Sequence, residues 1–338
     1  MKNVLSFILL FTLLFLFISC SNQTPTPITE PNDNNTQTDT PDTEIGYADI
    51  VSLTKDNSIT AVTQEDYSRL TSIDLSKLPE SVADMYRGII NDTVTYQILY
   101  KVDSFTVSAY ISAPKDYLTQ NYPLVIYNRG GNGNFSAVTA EQIATYAYPL
   151  NCVVIASNYR GTTPGTGKDE FGGADVKDVV FWMDIVEKLD FIDKNSVYMI
   201  GVSRGGMQTC LALLHDKNSI VKAAACIGGA FDITNLYYAR ADMQEMLTKR
   251  IGGTPEQVPD EYKKRSAVTF ADKIGTPLLI VHSKNDARVP FEQAKAFTDK
   301  LEEYNKKYKF TIRNDSSHGI VSPDELVSIL EELKELAR

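Results

Sequence analysis

The chain has 338 residues, 43% hydrophobic and 22% charged, with a formal net charge of −10. That balance is globular and allows one large domain or two small ones. The acidic surplus, with no long basic run, argues against nucleic acid and anionic membrane surfaces as partners.

The first twenty residues read as a targeting segment. Lys2 supplies a short positive start, Val4 to Ile18 is almost unbroken Leu, Phe, Ile and Val, and the stretch ends Phe17-Ile-Ser-Cys20. The apolar core is too short for a comfortable membrane span, so residues 1–19 are expected to be a signal peptide. A small residue directly before a cysteine resembles the lipobox of bacterial lipoproteins. That resemblance implies cleavage before Cys20, lipidation of Cys20, and an exported protein held to the cell envelope through its N-terminal lipid alone. Residues 20–46, rich in Thr, Pro, Asn and Asp, bury too little to offset their ordering entropy and are expected to be a disordered tether. The remaining cysteines, Cys152, Cys210 and Cys226, lie in apolar or helical runs without CxxC or metal-ligand spacing. Buried thiols are expected, with one disulfide among them left open and no metal or cofactor implied.

Residues 47–92 read as a small helical extension, with helix starts at Thr63-Gln-Glu-Asp66 and Pro79-Glu-Ser-Val-Ala-Asp-Met85. From Val94 the period becomes two, and strands over 94–100 and 105–112 make a hairpin through Val102-Asp-Ser104. Apolar strands at 123–128, 152–156, 197–200, 223–227, 277–282 and 309–312 then alternate with helical patterns near 139–148, 174–188, 204–215, 234–249, 291–304 and 323–337. Residues 93–338 are therefore expected to form one α/β domain. Its sheet is mostly parallel, with an antiparallel hairpin at its N-terminal edge and helices on both faces.

Within that series, Val197-Tyr-Met-Ile200 runs directly into Gly201-Val-Ser203-Arg-Gly205-Gly206 and then into an apolar-faced helix. Strand, G-x-S-x-G and helix in succession is the context of a nucleophile elbow, where a tight turn lifts the serine hydroxyl off the sheet edge. The free N–H groups of the new helix point to where an oxyanion would form. The chain has three histidines. His215 ends the helix after the elbow, and His282 sits inside an apolar strand and reads as a packed residue. His318, in a polar loop after the last strand, is at the carboxyl end where such sheets place their chemistry, and it is the candidate general base. Asp286, after the penultimate strand, is the candidate that orients it. Ser203, Asp286, His318 is the chain order of α/β-hydrolases. The loop Tyr127-Asn-Arg-Gly-Gly-Asn-Gly133 is the candidate oxyanion loop, through the backbone of Arg129 and Gly130 together with that of Arg204. Its glycines lack the third position of a dinucleotide fingerprint. Tyr237 and Tyr238 are candidate pocket residues.

These motifs resemble the catalytic domain of the prolyl oligopeptidase (S9) family. Gly201-Val-Ser-Arg-Gly-Gly206 looks like its nucleophile motif, His282-Ser-Lys-Asn-Asp286-Ala-Arg-Val-Pro290 its acid loop, and His318-Gly319 its histidine loop. Asn158-Tyr-Arg-Gly161 with Gly165, Gly167 and Gly172-Gly-Ala-Asp-Val-Lys-Asp178 looks like its strand-four extension, the most specific of the set. Asn128-Arg-Gly-Gly131 stands where the family more often has His-Gly-Gly, and the segment before Val94 is far shorter than the β-propeller that family peptidases commonly carry. The resemblance implies an α/β-hydrolase fold and serine-type acyl transfer to a small peptide or ester, with an S9-like peptidase favoured over a carboxylesterase or dienelactone-hydrolase-like enzyme. A binding protein that has lost its chemistry on the same fold is the remaining alternative. Oligomeric state is not legible in the residues.

Overall fold

A computed structural model describes residues 46–338, so the signal-like segment, Cys20 and the tether lie outside the described residues. Among the described residues nine strands share one sheet: β1 (Ile59–Gln64), β2 (Thr93–Val102), β3 (Phe105–Pro114), β4 (Tyr122–Asn128), β5 (Val153–Ser157), β6 (Ile192–Val202), β7 (Ala223–Ile227), β8 (Leu278–Ser283) and β9 (Tyr308–Arg313). Their spatial order is β1-β2-β3-β5-β4-β6-β7-β8-β9. The pairs from β1 through β3 to β5 are antiparallel, and those from β5 onward are parallel. This is the α/β-hydrolase architecture that the motifs implied. Ten helices cover it among the described residues: α1 (Ser68–Thr71), α2 (Glu80–Asp92), α3 (Ala140–Leu150), α4 (Lys177–Val186), α5 (Arg204–Leu213), α6 (Ile233–Ala239), α7 (Gln244–Ile251), α8 (Pro259–Lys264), α9 (Phe291–Glu303) and α10 (Pro323–Leu336). None of them is long and apolar enough to cross a membrane.

The two-residue period of a strand sends alternate side chains to opposite faces, and both faces here are apolar. Val125, Tyr127, Tyr198, Ile200, Leu279 and Val281 form one core with Ile143 and Tyr146 of α3 and Leu326, Ile329 and Leu330 of α10. Their neighbours Leu124, Ile126, Val197, Met199, Leu278 and Ile280 form the other, with Trp182 of α4, Met207 and Leu211 of α5 and Phe297 of α9. Local chemistry sets the helix starts. The Thr139 side chain caps α3 by accepting from Gln142 N, and Ser322 caps α10 by accepting from Glu325 N ahead of Pro323.

Three sequence expectations change. The segment 47–92 is not wholly helical, because Ile59-Thr-Ala-Val-Thr63 is the edge strand β1, paired with β2 through Val62 and Ile98. The β-branched residues Ile59, Thr60, Val62 and Thr63 meet the free edge of β2, and that pairing outweighs the acidic helix-start signal at Glu65 and Asp66. The helical pattern at 234–249 divides into α6 and α7 around the 3₁₀ turn Ala241–Met243. Pro259 opens a further short helix, α8, that the periodicity did not reveal.

Candidate active site

Ser203 joins β6 to α5 with φ 58° and ψ −122°, a conformation costing a non-glycine residue about 1–3 kcal/mol. The surroundings hold it there. Ser203 N donates to Ile227 O at 2.9 Å, and Ser203 O accepts from Gly206 N at 2.9 Å and Ala230 N at 3.3 Å. No larger residue fits beside it. A Cβ on Gly201 would stand 2.2 Å from Gly205 O, and one on Gly205 would stand 1.8 Å from Asn128 O. Asn128 Nδ2 also donates to Thr209 Oγ1 at 2.8 Å, tying the end of β4 to α5.

Asp286 and His318 meet across the loops after β8 and β9. His318 Nδ1 lies 2.7 Å from Asp286 Oδ2. Since a carboxylate only accepts, Nδ1 is the donor, and in the neutral ring that leaves the lone pair on Nε2. The other carboxylate oxygen, Oδ1, accepts from Arg288 N at 2.8 Å and Val289 N at 3.1 Å. Burial opposes ionisation of Asp286, but His318 and the two amides outweigh it and hold the carboxyl below its ordinary range. Both side chains lie against Gly228, where a Cβ would be 3.0 Å from His318 Nδ1 and 3.3 Å from Asp286 Oδ2. Gly228 follows Ile227, whose carbonyl holds the Ser203 amide, so the three residues converge on one edge of the sheet. Among the described residues the imidazole's one side-chain hydrogen bond is to Asp286.

The other two histidines fall where their sequence context put them. His282 is fully buried in β8, with Nε2 donating to Val289 O at 2.9 Å. Burial holds it below its ordinary pKa and therefore neutral. His215 is exposed beyond the end of α5.

The loop after β4 crosses the elbow closely. A Cβ on Gly130 would lie 3.2 Å from Ser203 Cβ and 3.8 Å from Ser203 Oγ. Neither the Gly130 amide nor the Arg204 amide donates to another group among the described residues, which leaves both for an oxyanion. The Arg129 amide likewise has no acceptor among the described residues, and its side chain adds a separate support. The buried guanidinium donates to the carbonyls of Asn158, Gly130, Phe135 and Gly133 and to Thr162 Oγ1, holding the loop's shape from within. Burial and the like charge of Arg204 push its pKa down to about 10.

The sequence by itself assigns no role to the Arg204 side chain, Asp169, Asp175 or Arg250, although Asp169 and Asp175 lie within the glycine-rich extension. The Arg204 guanidinium reaches Asp169 Oδ2 at 2.8 Å, Asp175 Oδ2 at 2.6 Å and Gly131 O at 3.2 Å, and it stacks on the rings of Tyr159 and Phe171. Arg250 of α7 adds a bond to Asn132 Oδ1 at 2.9 Å. Asp169 and Asp175 are both buried, and buried carboxylates require cations. Tyr237 packs edge-on to Tyr262, and Tyr238 is 56% exposed with its hydroxyl bonded to Glu256. Both sit on α6, nine and ten residues past Gly228, which lies against His318 and Asp286.

A profile of the prolyl oligopeptidase family matches residues 140–336, more than half of the chain. An uncharacterized peptidase of Bacillus subtilis, YtmA, is 28% identical over 211 residues, covering 62% of this chain and 80% of that protein. Dipeptidyl-peptidase 5 of Porphyromonas gingivalis is 25% identical over 240 residues, covering 65% of this chain; the chain spans only 34% of that protein's length. Among solved structures, a puromycin-hydrolyzing peptidase of Mycobacterium tuberculosis aligns with a TM-score of 0.56 and 25% identity, over 68% of this chain and 37% of that one. The Pyrococcus horikoshii acylaminoacyl peptidase aligns with a TM-score of 0.59 and 20% identity, over 73% and 41%, a likeness of fold.

Proposed function

Because the chain belongs to the prolyl oligopeptidase family, we propose that it is a serine peptidase whose triad is Ser203, His318 and Asp286. Ser203 Oγ attacks the scissile carbonyl while His318 Nε2 takes its proton. The amides of Arg204 and Gly130 receive the oxyanion, a contribution worth about 10²–10³-fold in rate per donor. His318 then passes the proton to the leaving amine, and water, deprotonated by the same nitrogen, resolves the acyl-enzyme. Asp286 stays ionised and keeps Nε2 aimed at the serine. The observation that carries this reading is the 2.7 Å His318–Asp286 pair beside a serine held in a strained elbow.

Relatives named for dipeptidyl and acylamino-acid substrates support short peptides, cut near their amino end, as the substrate class. The test is hydrolysis of dipeptidyl and N-acyl-aminoacyl nitroanilides beside short-chain nitrophenyl esters, with Ser203→Ala as control. Amide cleavage that vanishes in the mutant is expected. Ester cleavage alone would move the enzyme to the carboxylesterases, and full activity in Ser203→Ala would overturn the mechanism.

We also propose export with a lipid on Cys20, supported by the apolar run Val4–Ile18 before Ser19-Cys20. Expressed in a bacterium that processes lipoproteins, the protein should stay with membranes and lose that association as Cys20→Ala. Unchanged retention would overturn the lipid anchor.

A further inference from the structure

The loop that carries His318 is pinned at both roots by a pair that the mechanism does not use. Arg313 ends β9 and Glu325 lies in the first turn of α10, and their charged groups meet as an ion pair with side chains 12% and 21% exposed. Arg313 Nη1 also donates to Gly319 O at 2.7 Å and to Ser317 Oγ at 3.3 Å, the residues on either side of His318. Glu325 Oε2 accepts from Val321 N at 2.7 Å, holding the far side of the loop. Ser317 Oγ in turn lies 3.0 Å from Ser283 Oγ, and Lys284 N donates to Arg313 O at 2.9 Å, so the same arginine ties the histidine loop to the strand that leads into Asp286. Asn314, Asp315 and Ser316 are exposed; Asp315 accepts from Asn285 N at 3.0 Å and from Ser317 N at 3.1 Å, which holds the start of the loop but makes no hydrogen bond past His318.

We propose that Arg313 is a positioning residue for His318. By donating to the residues before and after the histidine it sets where the imidazole stands between Asp286 and Ser203, and Glu325 keeps the guanidinium turned toward those acceptors. The inference rests on the reading of His318 as the base, and Arg313 acts through it without touching substrate. The chemistry demands such a support. Nε2 must reach the serine hydroxyl while Nδ1 stays on Asp286, and a misplacement of about 1 Å is enough to cost about 10²-fold in rate. A loop anchored only at its ends would not hold that tolerance.

The full chain is assayed on a nitroanilide that it cleaves, with kcat, KM and Tm measured for Arg313→Met, Arg313→Lys and the charge swap Arg313→Glu with Glu325→Arg. Arg313→Met is expected to lose roughly 10- to 100-fold in kcat with KM within about twofold. Arg313→Lys should recover part of that loss, because an ammonium still donates to Gly319 O. The swap rebuilds the ion pair and should restore Tm, yet leave kcat low, since a carboxylate at position 313 cannot donate to a carbonyl. Recovery of kcat together with Tm in the swap, or wild-type kcat in Arg313→Met, would overturn the proposal. If the swap fails to fold, equal kcat in Arg313→Lys and Arg313→Met overturns it. Ser203→Ala and His318→Ala run alongside: activity in either sinks the triad itself, whereas two dead controls with an active Arg313→Met sink only the role of Arg313.

Discussion

Asp169 Oδ2 accepts from the Arg204 guanidinium at 2.8 Å and, with the same oxygen, from the Gly133 amide at 2.6 Å. One buried carboxylate thus joins the residue after Ser203 to the loop that crosses close to it. The two proposed oxyanion donors, on Arg204 and Gly130, belong to the segments that this contact ties together. Asp169→Asn keeps the shape and removes the charge, leaving Arg204 with Asp175 alone. A loss of about 2 kcal/mol is expected, below the roughly 3–5 kcal/mol of a pair whose surviving charge is left without any partner, read from urea unfolding. Activity should fall with it even at temperatures where the variant is folded.

The same carboxylate sets an acid limit on stability. Burial works against its charge, but Arg204 and the Gly133 amide win and bring its pKa to about 2, from an ordinary 3.8. A depressed carboxylate contributes stability in full above its unfolded pKa and loses it as pH falls through the folded one. The contribution is roughly 2 kcal/mol, fading between about pH 4 and pH 2. Unfolding free energy followed across that window should fall less steeply in Asp169→Asn than in the parent. Identical slopes would remove Asp169 from the account.

Gly205→Ala places a Cβ 1.8 Å from Asn128 O and 2.9 Å from Arg129 O, both backbone atoms in the segment leading to the oxyanion loop. Neither can turn aside as a flexible side chain would. The variant should lose about 1–3 kcal/mol or more, and activity should fall beyond what the lower Tm explains, because relief of the clash moves the loop.

Asp286→Asn offers His318 an amide that can donate to Nδ1, so the ring is free to take the tautomer with its proton on Nε2. A drop in kcat of up to about 10⁴-fold is expected, with the protein still folded by circular dichroism. A loss under about tenfold would show that the Arg288 and Val289 amides, not the carboxylate charge, set the geometry.

Cys152, Cys210 and Cys226 are buried and free, with the last two sulfurs 3.9 Å apart, and burial pushes the Cys152 thiol up to about 12. A thiol reagent should modify none of them in the folded protein and all three after unfolding. Labelling of any one in the native state would indicate local opening around it.

The elbow could be read locally because everything that defines it is local: an apolar strand, Gly201, Ser203, Gly205 and an apolar-faced helix within a dozen residues. The same holds for the parallel strands, whose unbroken Val, Ile and Leu runs state that both faces are covered. Strand β1 escaped because its acidic end resembles a helix start. Only the free edge of β2, supplied from residues 93–102, decides which structure those residues take.

By itself the sequence determined the order Ser203, Asp286, His318, each after its own strand, and therefore the architecture and the side of the sheet where chemistry can occur. It could not determine what Arg204, Asp169, Arg250, Arg313 and Glu325 do. A charged side chain acquires its role from its partner, and these partners stand 35, 81 or 118 residues away or across a loop whose path the strands set. Tertiary structure brought them together by burying Asp169 and Asp175 in the extension after β5, where a carboxylate without a cation would be too costly to keep.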